Sequence, residues 1–192
     1  PARGFRRSRN GPRFLELTGA DFPDCELGEM MVVLVVLVTA LVVFRGLGAL
    51  GVTACGSWRS AARYALAVML GFTGGAHLMP AISEELVRMV PPWVPDPRLA
   101  VFATGIVEIL GAVGLLIPRT QRVAGLALVV FFVTVFPANI HATQAGVILQ
   151  GQPATALWLR APIQLLFMWL AWWSTTREGE ARVCEFTRSR SS

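Results

Sequence analysis

The sequence predicts an all-α fold, a polytopic bundle of membrane-spanning helices, and three observations carry that expectation. The hydrophobic fraction is 54% and the charged fraction 15%, where globular domains carry about 25% charged residues. Mean hydropathy is +0.58. The apolar residues come in five blocks rather than at amphipathic spacing, and each block is close to the roughly 20 residues that cross hydrocarbon at about 1.5 Å per residue. So few charges cannot cover a water-facing surface, and blocks of that length call for lipid around them.

Residues 1–29 form a polar leader, with Arg3, Arg6, Arg7, Arg9 and Arg13 followed by Glu16, Asp21, Asp24, Glu26 and Glu29. A signal peptide runs from basic residues straight into its apolar stretch; here acidic residues intervene, so the first apolar block reads as a retained helix. Met30 and Met31 stand at its edge, and one expectation for the leader is an upstream extension of a natural start at either methionine. The bundle is expected over 30–176. Its first span covers about 30–51, broken only by Arg45 near one end, where a long side chain reaches the headgroups. The second covers 61–79 and stops at Pro80. Over 81–90, Ile82, Leu86, Met89 and Val90 recur at helical spacing while Ser83, Glu84, Glu85 and Arg88 take the other face, the pattern of a short helix lying on the membrane surface. It ends in the proline-rich run Pro91-Pro92-Trp93-Val94-Pro95-Asp96-Pro97. The third span covers 99–117. The fourth, 123–140, meets Pro137, where a kink or an end is expected. The fifth, 155–175, carries Trp158, Trp169, Trp172 and Trp173, suited to membrane interfaces. Residues 177–192 form a basic tail.

A net charge of +5 and a pI near 10.4 do not make a nucleic-acid footprint, because every basic residue is arginine and the arginines lie between or outside the apolar blocks. Their placement reads as topology. The loops after spans one and three, with the tail, hold nine arginines, and the opposite loops hold Arg88, Arg98 and Arg160. The positive-inside rule then sets the C-terminus in the cytoplasm and the start of span one outside. Cys25, Cys55 and Cys184 are far apart and form no CxxC, so neither a redox pair nor a zinc site is written locally.

Polar residues inside the spans gather in the outer half or at mid-depth: His77, Glu108, Asn139, His141, Arg160 and Gln164. Glu108 is the tenth of nineteen residues in the third span. Thr73 and His77, Thr104 and Glu108, and Arg160 and Gln164 are each spaced i, i+4, so three helices each present a polar stripe. A lone carboxylate in hydrocarbon costs at least about 2.5 to 3.5 kcal/mol, so Glu108 is expected to be protonated or partnered, with Arg160 and His77 as the partners in reach. The functional reading is an outward-opening polar cavity in which Glu108 accepts a proton, a catalytic role, while His77, Glu108, Asn139, Arg160 and Gln164 bind a ligand. The structural reading is a hydrogen-bond network that only locks the bundle. For His141 and Asn139 taken alone the structural role is favoured. No metal is expected, since no HxxxH or ExxH spacing occurs. Gly71, Gly74, Gly75, Gly105, Gly111 and Gly114 are small residues that let helices approach. No Walker loop, dinucleotide fingerprint or nucleophile elbow is present.

Five short motifs in order resemble the DoxX-like membrane proteins: Gly74-Gly75-Ala76-His77-Leu78, Met89-Val90-Pro91-Pro92-Trp93-Val94-Pro95, Thr104 to Ala112 with Gly114 to Pro118, Phe136-Pro137-Ala138-Asn139-Ile140, and Leu159-Arg160-Ala161-Pro162-Ile163-Gln164. The resemblance covers about 61–173. It implies a four-helix membrane unit, here with one additional N-terminal transmembrane helix, and a plasma-membrane location. It also implies a link to quinone-coupled sulfur oxidation and to membrane oxidoreductase assemblies. Lacking paired cysteines, this chain is not expected to oxidise sulfur directly. What the resemblance leaves is a subunit binding a quinone or another small apolar ligand beside a membrane oxidoreductase, with no obligatory cofactor. A non-catalytic scaffold or assembly factor is the alternative, and a small-molecule transporter is third because no inverted repeat is visible. The partners expected are the lipid bilayer, an oxidoreductase and a second copy of the chain, and no nucleic acid.

Overall fold

In the computed structural model the described residues are 28–149, 152–153 and 156–176. The polar leader, Cys25, Cys184, the arginines of the tail and the expected start of the fifth span at 155 lie outside the described residues.

The first helix, α1 (Gly28–Ala49), is 22 residues of nearly unbroken Val, Leu and Ala, about 33 Å long. With no polar stripe, its outer side leaves Val32, Val35, Val38 and Val42 exposed, as befits a helix whose solvent is lipid. A 3₁₀ turn at Thr53–Cys55 follows. The next helix, α2 (Trp58–His77), is started by a capping box: Ser57 Oγ accepts from Ser60 N at 3.0 Å, and Ser60 Oγ accepts from Ser57 N at 3.2 Å. The cap, not the hydropathy, sets this start, which is why it falls three residues before the expected 61.

After a sharp bend of 85° comes α3 (Pro80–Val87), opened by proline at its first position. The helix expected over 81–90 is therefore shorter at its end. Val90 precedes Pro91, which disfavours the α conformation there, and Met89 N and Val90 N make only tight turn bonds to Leu86 O and Val87 O. Next is α4 (Pro97–Leu116), capped by Asp96, whose side chain accepts from Leu99 N at 3.1 Å. The long α5 (Gln121–Gln144) runs through Pro137. Proline there deprives only Val133 of its helical donor, and the hydroxyls of Thr134 and Thr143 bond back to Val130 O and Asn139 O at 2.9 and 3.1 Å. Two short strands, β1 (Ile148–Leu149) and β2 (Gln152–Pro153), pair antiparallel with Ile148 opposite Pro153. The last helix is α6 (Leu157–Thr175).

The described chain is thus all-helical apart from this ladder. Three helices, α1, α4 and α5, are long and apolar enough to cross a membrane, and α2 with α3 adds a fourth if the bent pair is one span. That count is lower than the five blocks of the sequence because α2 and α6 are less apolar on average, with Arg59 and Arg63 in the one and Arg160, Gln164 and four tryptophans in the other.

Helices α2, α4, α5 and α6 close a ring, each against the next, with α6 returning to α2; α1 lies outside along α2. Leu66 and Leu70 of α2, Leu115 of α4, Leu128 of α5 and Ala171 of α6 are fully or almost fully buried at its centre. The helices pack closely at the end where α5 begins and α6 finishes. A Cβ added at Gly111 would lie 2.6 Å from Leu128 Cδ2, one at Gly114 2.7 Å from Ala124 Cβ, and one at Gly125 2.8 Å from Ala171 O. Arg59 stacks over Trp173 at 5.3 Å at the same end. Gly71 and Gly75 have nothing within 4 Å, so helix approach explains Gly74, Gly105, Gly111 and Gly114 but not those two. Gly125→Ala is expected to destabilise by about 1–3 kcal/mol, because a backbone oxygen cannot yield as a side chain can. Thermal unfolding of the detergent-solubilised protein would measure it.

Candidate functional site

The site begins with the crossing of α2 and α4. A Cβ at Gly74 would come within 2.8 Å of Gly105 O, and one at Gly105 within 2.7 Å of His77 Cβ. Only glycines permit this distance, and it brings the two polar stripes into hydrogen-bond range. Thr73 Oγ1 donates to Glu108 Oε2 at 2.7 Å. His77 Nδ1 lies 3.1 Å from Thr104 Oγ1. Thr104 Oγ1 also lies 2.8 Å from Val101 O of its own helix.

Glu108 is 8% exposed. Its partner is Thr73, and among the described residues no hydrogen bond or ion pair joins it to His77 or Arg160. This corrects the pairing expected from sequence. A threonine hydroxyl one helical turn from His77 reaches Glu108 first because the glycine crossing sets α2 against α4, while Arg160 is held elsewhere.

That other place is the α5–α6 contact, where a directional relay runs through three side chains. Arg160 NH1 donates to Asn139 Oδ1 at 3.1 Å, Asn139 Nδ2 donates to Gln164 Oε1 at 2.7 Å, and Gln164 Nε2 donates to Phe132 O. Arg160 and Gln164 are buried. A carbonyl oxygen has two lone pairs, so Phe132 can serve both its helix and Gln164.

Between these two walls lies a cavity of about 470 Å³, and all five residues expected from sequence, His77, Glu108, Asn139, Arg160 and Gln164, line it. The rest of its lining is mainly apolar, including Met69, Leu70, Phe132 and Phe167, with Met89, Val90 and Trp93 from the segment between α3 and α4. His141 does not line it. Instead its Nδ1 lies 3.1 Å from Met89 O, tying the connection to α5, which accords with a structural role. Among the described residues no group of three or more His, Cys, Asp and Glu side chains is placed to hold a metal. Sequence reasoning missed the carbonyls of Phe132 and Met89 as partners, because a backbone group leaves no mark in residue type.

A mostly apolar cavity of this size with a few polar groups on opposite walls has the make-up of a small-molecule site. Fold and cavity together define a helical membrane protein with an internal pocket. The chain belongs to the family described as Domain of unknown function (DUF8561), whose model matches residues 66–175. The matched stretch runs from within α2 to the end of α6 and leaves out α1. Searches of curated proteins and of solved structures gave no match.

Proposed function

We propose that the protein is a DoxX-like plasma-membrane subunit that binds a quinone, or another small apolar molecule, in service of a membrane oxidoreductase. In this reading five helices, α1, α2, α4, α5 and α6, span the bilayer, with the N-terminus outside and the C-terminus in the cytoplasm. α3 lies on the outer surface, and α1 is an addition to the four-helix unit. Glu108 accepts a proton, and Arg160, Asn139 and Gln164 supply hydrogen-bond donors to a ligand oxygen.

One observation carries the reading: Glu108, 8% exposed, lines the same cavity of about 470 Å³ as Asn139 and Gln164, which come from different helices. A carboxyl inside a membrane is costly, and a ligand with polar atoms at both ends can serve Glu108 on one wall and the side-chain amides of Asn139 and Gln164 on the other. The scaffold reading rests on a different observation, the relay from Arg160 to Phe132, which closes on protein groups alone.

Glu108→Gln and Arg160→Lys separate the two. On the ligand reading, both variants fold and both lose quinone affinity about tenfold or more, since each removes a hydrogen bond to a charged or bidentate group. Normal stability together with wild-type quinone binding in both variants would end the ligand reading, and loss of folding without any bound ligand in the wild type would favour the scaffold. Mass spectrometry of molecules that co-purify with the wild type supplies the complementary measurement.

A further inference from the structure

The cavity changes character along its length. On α2, Thr73 and His77 line one part of it, and Met69 and Leu70, a turn nearer the start of the helix, line the next. On α6, Gln164 gives way one turn on to Phe167, and on α5 Asn139 gives way about two turns earlier to Phe131 and Phe132. Thr134, lying between these, keeps its hydroxyl on Val130 O of its own helix. All three changes run toward the end where α2 and α5 begin and α6 finishes. A polar chamber therefore opens into an apolar one.

The apolar chamber has a closed floor and a thin side wall. One turn beyond its lining, Leu66, Leu128 and Ala171 are 0%, 1% and 0% exposed, packed core that leaves no way along the bundle axis. At the side, Met30 and Val33 of α1 line the cavity. They are half-buried, whereas Leu37 and Ala40, further along the same face of α1, are buried. The opposite face of α1 presents Val32, Val35 and Val38 outward, so the first turns of one helix stand between the chamber and the bilayer. An apolar space of this kind excludes water and takes apolar matter. We propose that the apolar chamber is a separate subsite that seats a hydrocarbon chain of the ligand, and that the chain leaves for the bilayer past Met30 and Val33. The ligand is then a lipid-soluble molecule with a polar head for the Glu108, Asn139 and Gln164 end and an apolar chain for the α1 end. This rests on the ligand-site reading above and adds the shape of the ligand to it. The helix that supplies the side wall lies outside the stretch matched by the family model.

The test uses two probes, a methoxy-substituted benzoquinone without a chain and the same ring carrying a decyl chain. Each is dialysed to equilibrium against the purified full chain with the same detergent on both sides, so that partition into micelles cancels when variants are compared with the wild type. Val33→Trp fills the chamber and is expected to weaken the decyl probe about tenfold or more, the worth of two or so buried methylenes, while the chainless ring stays within about twofold. Val35→Trp is the control, since Val35 is 56% exposed and does not line the cavity, and it is expected to change neither. In the wild type, a decyl probe with a diazirine at the chain end is expected to label the α1 peptide holding Met30 and Val33 on illumination, and excess unlabelled decyl probe to abolish that label. The labelling decides the matter even if Val33→Trp does not fold. Equal loss of both probes in Val33→Trp, no loss of the decyl probe, label confined to other segments, or α1 label that the competitor leaves unchanged would each overturn the inference and leave the ligand site standing. If neither probe binds the wild type, the quinone reading itself falls and this inference with it.

Discussion

Asn139→Leu is expected to destabilise the folded bundle by about 1–3 kcal/mol, the usual cost of leaving a buried hydrogen-bonding group without its partner. Asn139 is the middle of the relay, and its two ends bond to different neighbours: Oδ1 takes Arg160 NH1 and Nδ2 gives to Gln164 Oε1. Leucine fills a similar volume, so packing is retained and the loss falls on hydrogen bonding alone. Asn139→Asp keeps an acceptor for Arg160 and is expected to cost clearly less. Unfolding in mixed detergent micelles measures both, and equal stability of wild type and Asn139→Leu would mean that the relay does not hold α5 to α6.

Gly105→Val should be at least as damaging, by a different route. Its new Cβ would stand 2.7 Å from His77 Cβ and 3.0 Å from Gly74 O, so α2 and α4 must separate, at a cost of about 3 kcal/mol. Separation also stretches the Thr73–Glu108 and His77–Thr104 bonds, so ligand affinity is expected to fall about tenfold with the loss of one such bond. Gly75→Ala is the control, because nothing lies within 4 Å of its added Cβ, and in a helix alanine is better than glycine by up to about 1 kcal/mol. Calorimetry for stability and dialysis for affinity give the two readouts. If Gly105→Val and Gly75→Ala behave alike, the glycine crossing does not shape the site.

Most of this site was legible before any coordinates. Hydropathy marks where helices lie, since lipid demands long apolar runs, and i, i+4 spacing marks which polar residues share a face, since a helix repeats every 3.6 residues or so. Thr73 with His77, and Thr104 with Glu108, stand out on those grounds. Depth alone, however, cannot say which stripe meets which. The choice of Thr73 rather than Arg160 for Glu108 depends on Gly74 lying against Gly105, a backbone contact between helices that no spacing along one helix records. Likewise Met89 and Val90 fit the helical period of α3 yet lie beyond its end, because Pro91 acts on the backbone ahead of it and periodicity counts only side chains.

The ring is fastened unevenly, and that has a mechanical consequence. α2 and α4 are joined by the glycine crossing and two hydrogen bonds, and α5 and α6 by the relay, so each pair behaves as a stiff arm. Between the arms, the close contacts of Gly111 with Leu128, Gly114 with Ala124 and Arg59 with Trp173 all fall at one end. The far end has a lighter clasp, His141 on Met89 O with Met89 packed against Ala142, so the arms are riveted at one end and only latched at the other.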